Sequence, residues 1–414
     1  MFRPAPTSKS PRRILATLHE ERSAGALRRE VRYELDGKTH VLWWEFDGAP
    51  LPSPLKRSDL AVATLIYRAM HEGADLHVAG PVSKELLDRI DQFQDIWAIW
   101  RPDLYRKVAV TADAEVDTVR RSPARMASAV CAFSGGVDGT ATTWRHFSGQ
   151  AGRMTRKLHA GVLIWGFDIK LDDAEGWAIA SATAAIMLAD IDVPLVRVRT
   201  NWKNEACVAY EMEFAAGVLG CLWHWDEDVA TLLLGSCEEY NRLVTPWGSH
   251  PLTTQLLAAQ DSASIYDAGA MTRTAKVKLI AEWPVGYDNL RVCWRGFAKG
   301  QNCGVCEKCI RTKLNAIVSG VRIPASLERP PAAREILALR GYHHAAREFF
   351  EEILEAAAAN GIAGPLIDAT RLNLRNTANP PLLWRLDAFI RPRVPQQIKS
   401  LARRFFPNLR RATG

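Results

Sequence analysis

Two short stretches of the chain carry residue types and spacings that can do chemistry. The first is Cys293-x9-Cys303-x2-Cys306-x2-Cys309, half of the eight cysteines in the sequence. Two-residue spacers let neighbouring thiolates converge on one ion, and four thiolates suit tetrahedral Zn2+ at about 2.3 Å per Zn–S bond. With every position filled by protein, such a site is structural and not catalytic. An iron–sulfur cluster would draw on the same ligands, and unliganded thiols are the plainest alternative. The second stretch is Ser134-Gly135-Gly136-Val137-Asp138-Gly139-Thr140, between the apolar run ASAVCAF and the helical stretch TATTWRHF. Paired glycines let a backbone turn sharply and bring its N–H groups to an anion, and a following helix adds its unpaired amides and dipole. Ser134 and Thr140 offer hydroxyl donors, and Asp138 could cap the turn or help hold Mg2+ beside a polyphosphate. An ordinary glycine-containing strand–helix turn is the alternative. The loop is neither a Walker loop, lacking Gly-Lys-Ser/Thr, nor the Gly-x-Gly-x-x-Gly turn of dinucleotide sites.

The elements that must position these stretches follow from hydrophobic patterning. Residues 126–322 alternate apolar runs, ASAVCAF (127–133), AGVLIWGF (160–167), LVRV (195–198) and VATLLLGS (229–236), with helical stretches such as 174–189. Strands alternating with helices imply βαβ units and a parallel, Rossmann-like α/β sheet. Ligands of such sheets bind beyond the carboxyl ends of the strands, which is where 134–140 falls. Residues 1–125 read as an α+β module. Val31, Tyr33 and Leu35, the Asp36-Gly37 turn and VLWWEF form a hairpin, and Ser58 caps a helix carrying Leu60, Leu65, Ile66 and Ala69. Short strands are expected at 76–80 and 108–110, with a helix from about Ser83 between them. Residues 323–414 read as a helical extension. A Pro-rich linker leads to helices at about 333–340 and 344–359, then a polar stretch, RLNLRNTANPP, a last helix and a basic tail.

SGGVD after a buried strand resembles the pyrophosphate loop of the N-type ATP pyrophosphatases, the PP-loop superfamily. The segment CWRGFAKGQNCGVCEKCIRTK resembles the zinc loop of its 7-cyano-7-deazaguanine synthase family. Trp294 stands at that family's Tyr position, Gly296 and Gly304 match, and Arg311 or Lys313 supplies the basic end. The likeness covers about residues 127–320. It implies ATP bound on Ser134, Gly135, Gly136, Val137, Asp138, Gly139 and Thr140, with Mg2+, and adenylation of a carboxylate-type oxygen. AMP would then be displaced by ammonia or an amine, and the four cysteines would hold Zn2+. Gly139 departs from the loop's usual serine, a hydroxyl that Thr140 would have to replace. The first and last parts of the chain are extra, and GSCEEYNRLVTPWGSHPLTTQLL replaces the segment that shapes the family's substrate pocket, so a changed substrate is expected.

Further residues fall near that expected site. Asp168 ends the second strand where adenosine sits in the resembled fold; its plainer role is a loop cap. Glu238 and Glu239 follow the fourth strand, where a carboxylate suits Mg2+ or a substrate amine. His250 is a candidate substrate contact or a residue that merely starts a helix. Arg273 and Lys276 lie where the resembled family places a Thr-Lys pair, and either suits phosphate charge in a transition state. Cys131 and Cys221 sit in apolar contexts and read as core. Cys237, beside the expected site, raises a sulfur-transfer role, although no convincing cysteine pair accompanies it.

Composition sets the outer bounds. The 414 residues, 48% hydrophobic and 24% charged, exclude a mostly disordered chain. No apolar run approaches a membrane span, and MFRPAPTSKSPRR is basic without the apolar stretch of a secretory signal. The net charge of +7 is local: seven basic residues and no acid occupy 391–414, and the remainder balances at 46 of each sign. The tail suits RNA or an anionic surface, and equally a solvated end. Clustered cysteines in such a chain suit a reducing cytoplasm. The expectation is an ATP-dependent adenylating ligase acting on a small carboxylate-type substrate, with a homo-oligomer left open. A tRNA-modifying member of the superfamily and a non-catalytic zinc- and ATP-binding interaction protein are the alternatives.

Overall fold

The computed structural model describes residues 12–23, 25–118, 122–258, 262–293, 295–340, 344–379 and 381. The basic tail, the helix expected before it and Trp294 lie outside those residues. Among these residues ten strands form one sheet: β1 (Arg13–Ser23), β2 (Ala26–Leu35), β3 (Lys38–Gly48), β4 (Asp75–Ser83), β5 (Val110–Val116), β6 (Ser128–Ala132), β7 (Lys157–Trp165), β8 (Leu195–Thr200), β9 (Thr231–Gly235) and β10 (Ala263–Asp267). Their order is β10-β9-β6-β7-β8-β3-β2-β1-β4-β5. The fold is α/β, with a mostly parallel sheet. The block from β10 to β8 is parallel, β8-β3-β2-β1 pair antiparallel, and β1-β4-β5 are parallel again.

The hairpin forms as its alternation dictates. Leu27, Arg29, Val31, Tyr33 and Leu35 point inward along β2 while the residues between them face outward. Leu35 pairs with Lys38 across Asp36 (φ 51°) and Gly37 (φ 74°), the two left-handed positions of a two-residue turn whose twist suits a hairpin. The helix Asp59–Glu72 buries Leu60, Leu65, Ile66 and Ala69. Ser58 stands at its N-cap position, yet its hydroxyl donates to Ala79 O at 2.9 Å instead of accepting from the helix, a correction to the capping expected from sequence. The expected strand at 108–110 begins only at Val110. The polar stretch RLNLRNTANPP is mostly helix, within Pro365–Ala378; burial of Ile367, Ala369, Thr370 and Asn373 outweighs its polar composition. Strands β1 and β10 were not read from sequence, because β1 is largely exposed and β10, ASIYD, lacks the continuous apolar run that marks β6 and β9.

The first part of the chain joins the second through strand pairing, packing and buried polar bonds. β3 pairs with β8 from Trp44↔Thr200 to Gly48↔Val196, and one apolar cluster spans Ile14 to Leu257. Arg29, fully buried, pairs with Glu20 at 2.7 Å and donates to His224 O at 2.9 Å. Glu213, also fully buried, accepts from Tyr105 Oη at 2.6 Å and from the amides of Val208 and Ala209 at 3.0 Å each. The helices after residue 333 pack chiefly on the helix Glu307–Val318, through Ile310, Leu314, Ile336, Phe350 and Ile353. Among the described residues no helix is long and apolar enough to cross a membrane.

The sheet topology also places the site. From β6 the chain moves to β7 and β8 on one side, then returns to β9 on the other side of β6. The strand order therefore reverses between β6 and β9, and the crevice beyond their carboxyl ends is where ligands of open α/β sheets bind. Both the 134–140 loop and residues 236–239 emerge there. Replacing Glu213 with Ala strands one buried and two part-buried donors; it is expected to lower the unfolding free energy by about 2 kcal/mol or more, and Glu213→Gln by less, measured by urea denaturation.

Candidate functional site

The 134–140 loop is built by close approach. Gly135 has φ +73°, which favours glycine, and its carbonyl accepts from Arg291 N at 2.7 Å. Ser134 Oγ accepts from Gly136 N at 3.3 Å, and Arg291 Nε donates to Ser134 O at 3.1 Å. Gly136 caps the loop helix, Val137–Phe147, whose first amides have no intrahelical acceptor. The helix start is pressed onto the strand ends. A Cβ on Gly139 would lie 2.8 Å from Ala132 O, and one on Gly235 would lie 2.6 Å from the Asp138 carbonyl. This packing explains glycine at 139, where the resemblance leads one to expect serine. Thr140 does not restore an exposed hydroxyl: it is fully buried, and its Oγ1 has no partner among the described residues.

Cations surround this loop. Asp138, in the first helical turn, accepts from Arg273 Nη2 at 2.7 Å, and Lys276 Nζ lies 3.5 Å from its other oxygen. Both cations stand on one short helix, Arg273–Ile280, which Thr272 caps by accepting from Ala275 N. The i, i+3 spacing puts them on one face. Lys276 is 1% exposed and also donates to Ser236 O at 2.5 Å and Ser236 Oγ at 2.6 Å. Burial lowers the Lys276 pKa, and Asp138 only partly opposes it. Burial pulls Arg273 the same way, but there the charge and hydrogen bond of Asp138, with Cys237 and Glu307, together outweigh it and the pKa is raised. Arg311, on the thiol helix Glu307–Val318, is buried and paired with Glu307 at 3.2 Å. With both oxygens engaged by cations, Asp138 is not free to coordinate Mg2+ in this arrangement.

The acidic side of the crevice is equally ordered. Glu238, 3% exposed, accepts from Tyr266 Oη at 3.0 Å through Oε2, while Oε1 has no partner among the described residues. Burial pushes its pKa up to about 7. Glu239 pairs with Arg242 at 2.7 Å. The outer helix, His344–Ala359, closes this side: the Phe349 ring lies 4.9 Å from the Arg273 guanidinium and 4.1 Å from that of Arg311. From the same helix Glu352 accepts from Thr274 N and Asn315 Nδ2, each at 3.3 Å.

The four cysteines converge as their spacing implies. Their Sγ atoms all lie within 4.8 Å of one another, with 3.8 Å between Cys293 and Cys306, 4.0 Å between Cys303 and Cys309 and 3.5 Å between Cys306 and Cys309. A tetrahedron with bonds of about 2.3 Å has edges of about 3.8 Å, so the thiols fit a zinc-sized ion. The frame around them is set independently. Asn302 Oδ1 accepts from the amides of Val292 and Cys293, and Lys313 Nζ donates to Gly304 O at 2.9 Å. Cys293 lies two residues beyond Arg291, and Cys306 caps the thiol helix. An ion there would tie the segment that supports Gly135 to the helix that carries Arg311.

The structure thus brings together Asp138, Arg273, Lys276 and the loop glycines, with Glu238 across the crevice. Asp168 is exposed beyond β7, with Tyr210 Oη 3.5 Å away, and its charge partly offsets the burial that lowers the Arg291 pKa. His250 caps the helix Pro251–Thr254 by accepting from Leu252 N at 3.2 Å, and its ring meets Trp100 edge-on. Neither contact is with the loop group. Cys131 and Cys221 are fully buried, and the Cys237 thiol is pushed up to about 12 by burial, which disfavours the reactive thiolate. Sequence reading missed Arg291, Ser236, Phe349 and Glu352; the position of Arg291 two residues before Cys293 was the one available signal. The chain matches no family model, no curated protein and no solved structure.

Two outcomes are expected. Purified protein should carry about one zinc per chain and show no visible iron–sulfur absorption; Cys309→Ser should remove the metal, measured by elemental analysis. Glu238 holds its proton in the folded chain up to about 7 and loses it near 4.5 when unfolded. The stability contributed by that proton is complete below 4.5 and is lost as pH rises to about 7. Melting curves across this window should show the loss, and Glu238→Gln should flatten it.

Proposed function

We propose that the chain is an ATP-dependent adenylating enzyme, binding the triphosphate on the 134–140 loop and transferring AMP to a carboxylate-type oxygen. Pyrophosphate departs, and a nitrogen nucleophile then displaces AMP. The observation that carries this reading is Asp138 held between Arg273 and Lys276 at the start of the loop helix, in the crevice where the strand order reverses. One carboxylate against two buried cations leaves positive charge that a polyphosphate would satisfy. The loop amides and Gly136 lie beside those cations, so one anion could meet both sets of donors.

In this reading the backbone of Gly135–Gly139 and the cations Arg273 and Lys276 hold the β- and γ-phosphates and take the charge of the leaving pyrophosphate. Asp138 keeps the two cations aligned before nucleotide arrives. Magnesium would enter with the triphosphate and neutralise it further; Asp138 would have to leave Arg273 to reach that ion. The thiolate-bound zinc supplies rigidity alone, through Arg291 and the thiol helix.

Calorimetry with Mg-ATP should show saturable binding, and turnover against a panel of carboxylic acids with ammonium should release pyrophosphate. Lys276→Met should lower turnover by about 10²-fold, the usual loss on removing one transition-state donor. Absence of any heat with ATP or a non-hydrolysable analogue removes the proposal.

A further inference from the structure

A second group of chemically capable side chains stands at the other end of the sheet, on β4 and β5. β5 ends the strand order, far from β6 and β9. Its register with β4 sets His77 against Thr111. Neighbours in a parallel pair point to the same face, and Asp113, two residues beyond Thr111, points there too. The His77 ring bridges the two: Nδ1 lies 3.0 Å from Thr111 Oγ1, and Nε2 lies 3.0 Å from Asp113 Oδ1. The other Asp113 oxygen accepts from Gly80 N at 2.9 Å, at the register shift between Val78 and Pro81. That amide and His77 hold the Asp113 carboxyl below its usual range. An ionised carboxylate only accepts, so the neutral ring carries its proton on Nε2 and turns the lone pair of Nδ1 to the Thr111 hydroxyl, which donates to it. Nucleophile, base and the carboxylate that orients the base are thus in contact in the order that activates a hydroxyl. Thr111 is exposed. Leu15, set against His77 across β1 and 42% exposed, adds an apolar contact on the same face.

We propose that Thr111 is a site of covalent acylation, that His77 is its base and Asp113 the positioning residue, and that the acyl group comes from activated, uncharged esters. The Thr111 oxygen attacks the ester carbonyl carbon while His77 Nδ1 takes the hydroxyl proton. A new carbon–oxygen bond forms, the bond to the leaving oxygen breaks, and the leaving group departs with that electron pair. It recovers the proton from His77 and is released as an alcohol or phenol, and the chain keeps the acyl group as a threonine ester. Asp113 and Glu115 flank this position along β5, and their charge disfavours an anionic donor. The same face holds an internal comparison. On β1, Thr17 Oγ1 lies 2.9 Å from His19 Nε2, and among the described residues no carboxylate holds that ring. Thr17 also donates to Arg32 O at 3.4 Å, so its proton is shared. The assignment does not rest on the adenylation reading.

The test treats the full chain with 4-nitrophenyl acetate and follows acetylation at each threonine by peptide mass spectrometry. Thr111 should gain acetyl about 10²-fold faster than Thr17, the lower end of what a positioned base contributes. His77→Gln should bring Thr111 down to the rate of Thr17, Asp113→Asn should slow it by at least about tenfold, and Thr111→Ser should keep the reaction. The mono-4-nitrophenyl ester of succinic acid, which is anionic, should react more slowly than the acetate in the wild type. Thr111 acetylated no faster than Thr17, or equally fast in His77→Gln, overturns the site. An Asp113→Asn chain that reacts as wild type overturns the positioning role, and equal rates with the two esters overturn the donor class. Thermal melts accompany each variant. If one fails to fold, the comparison of Thr111 with Thr17 in the wild type still decides the site.

Discussion

The site depends on how two buried cations are kept charged. Lys276 is almost fully enclosed and Arg273 nearly so, and an isolated ion in such surroundings would neutralise or force water in. Asp138 makes their burial tolerable because it sits on the first turn of the loop helix, close enough to engage both. The requirement runs backward through the structure. Asp138 reaches them only if the loop helix starts directly against β6 and β9, and it can start there only because residues 139 and 235 lack side chains. Two glycines distant in sequence thus serve one electrostatic end.

The thiol cluster acts on the same loop from the other side. Arg291 meets Gly135 through its backbone and Ser134 through its guanidinium, and the chain runs on at once into Cys293. From Cys306 the thiol helix carries Arg311 to Phe349 and Asn315 to Glu352. A tetrahedral ion would therefore link loop, cations and outer helix into one rigid body without touching a reactant. Such an ion would be structural: the segments it would tie are the ones that hold the loop and its cations in place.

What could be read from the sequence follows the range of each signal. Local signals succeeded: the alternation of β2, the Asp36-Gly37 turn, the apolar runs at β6, β7, β8 and β9, and the thiol spacing. Each is written within a few neighbouring residues. Signals spread along the chain did not carry. Nothing local says that β3 pairs with β8, so the continuity of the sheet through both parts was invisible. His250 was read as either a substrate contact or a residue that starts a helix, and nothing local chose between them; it caps the helix by accepting from Leu252 N. Phe349 was not singled out within the helical stretch 344–359, although its ring faces two guanidinium groups.

The outer helix shows why such residues escape a reading by type. Its apolar stripe, Phe350 and Ile353 among it, packs on the thiol helix as any amphipathic helix would. One position earlier, Phe349 turns toward Arg273 and Arg311, and three positions later Glu352 reaches Thr274 and Asn315. The spacing of three that joins Phe349 to Glu352 is the helix's own period, so a second face forms beside the packing face at no cost in regularity. An aromatic ring against a guanidinium gives it contact without competing for its hydrogen bonds. Arg273 therefore keeps its grip on Asp138 while the outer helix leans on it. The helix can close the crevice without discharging the cations that give the crevice its character.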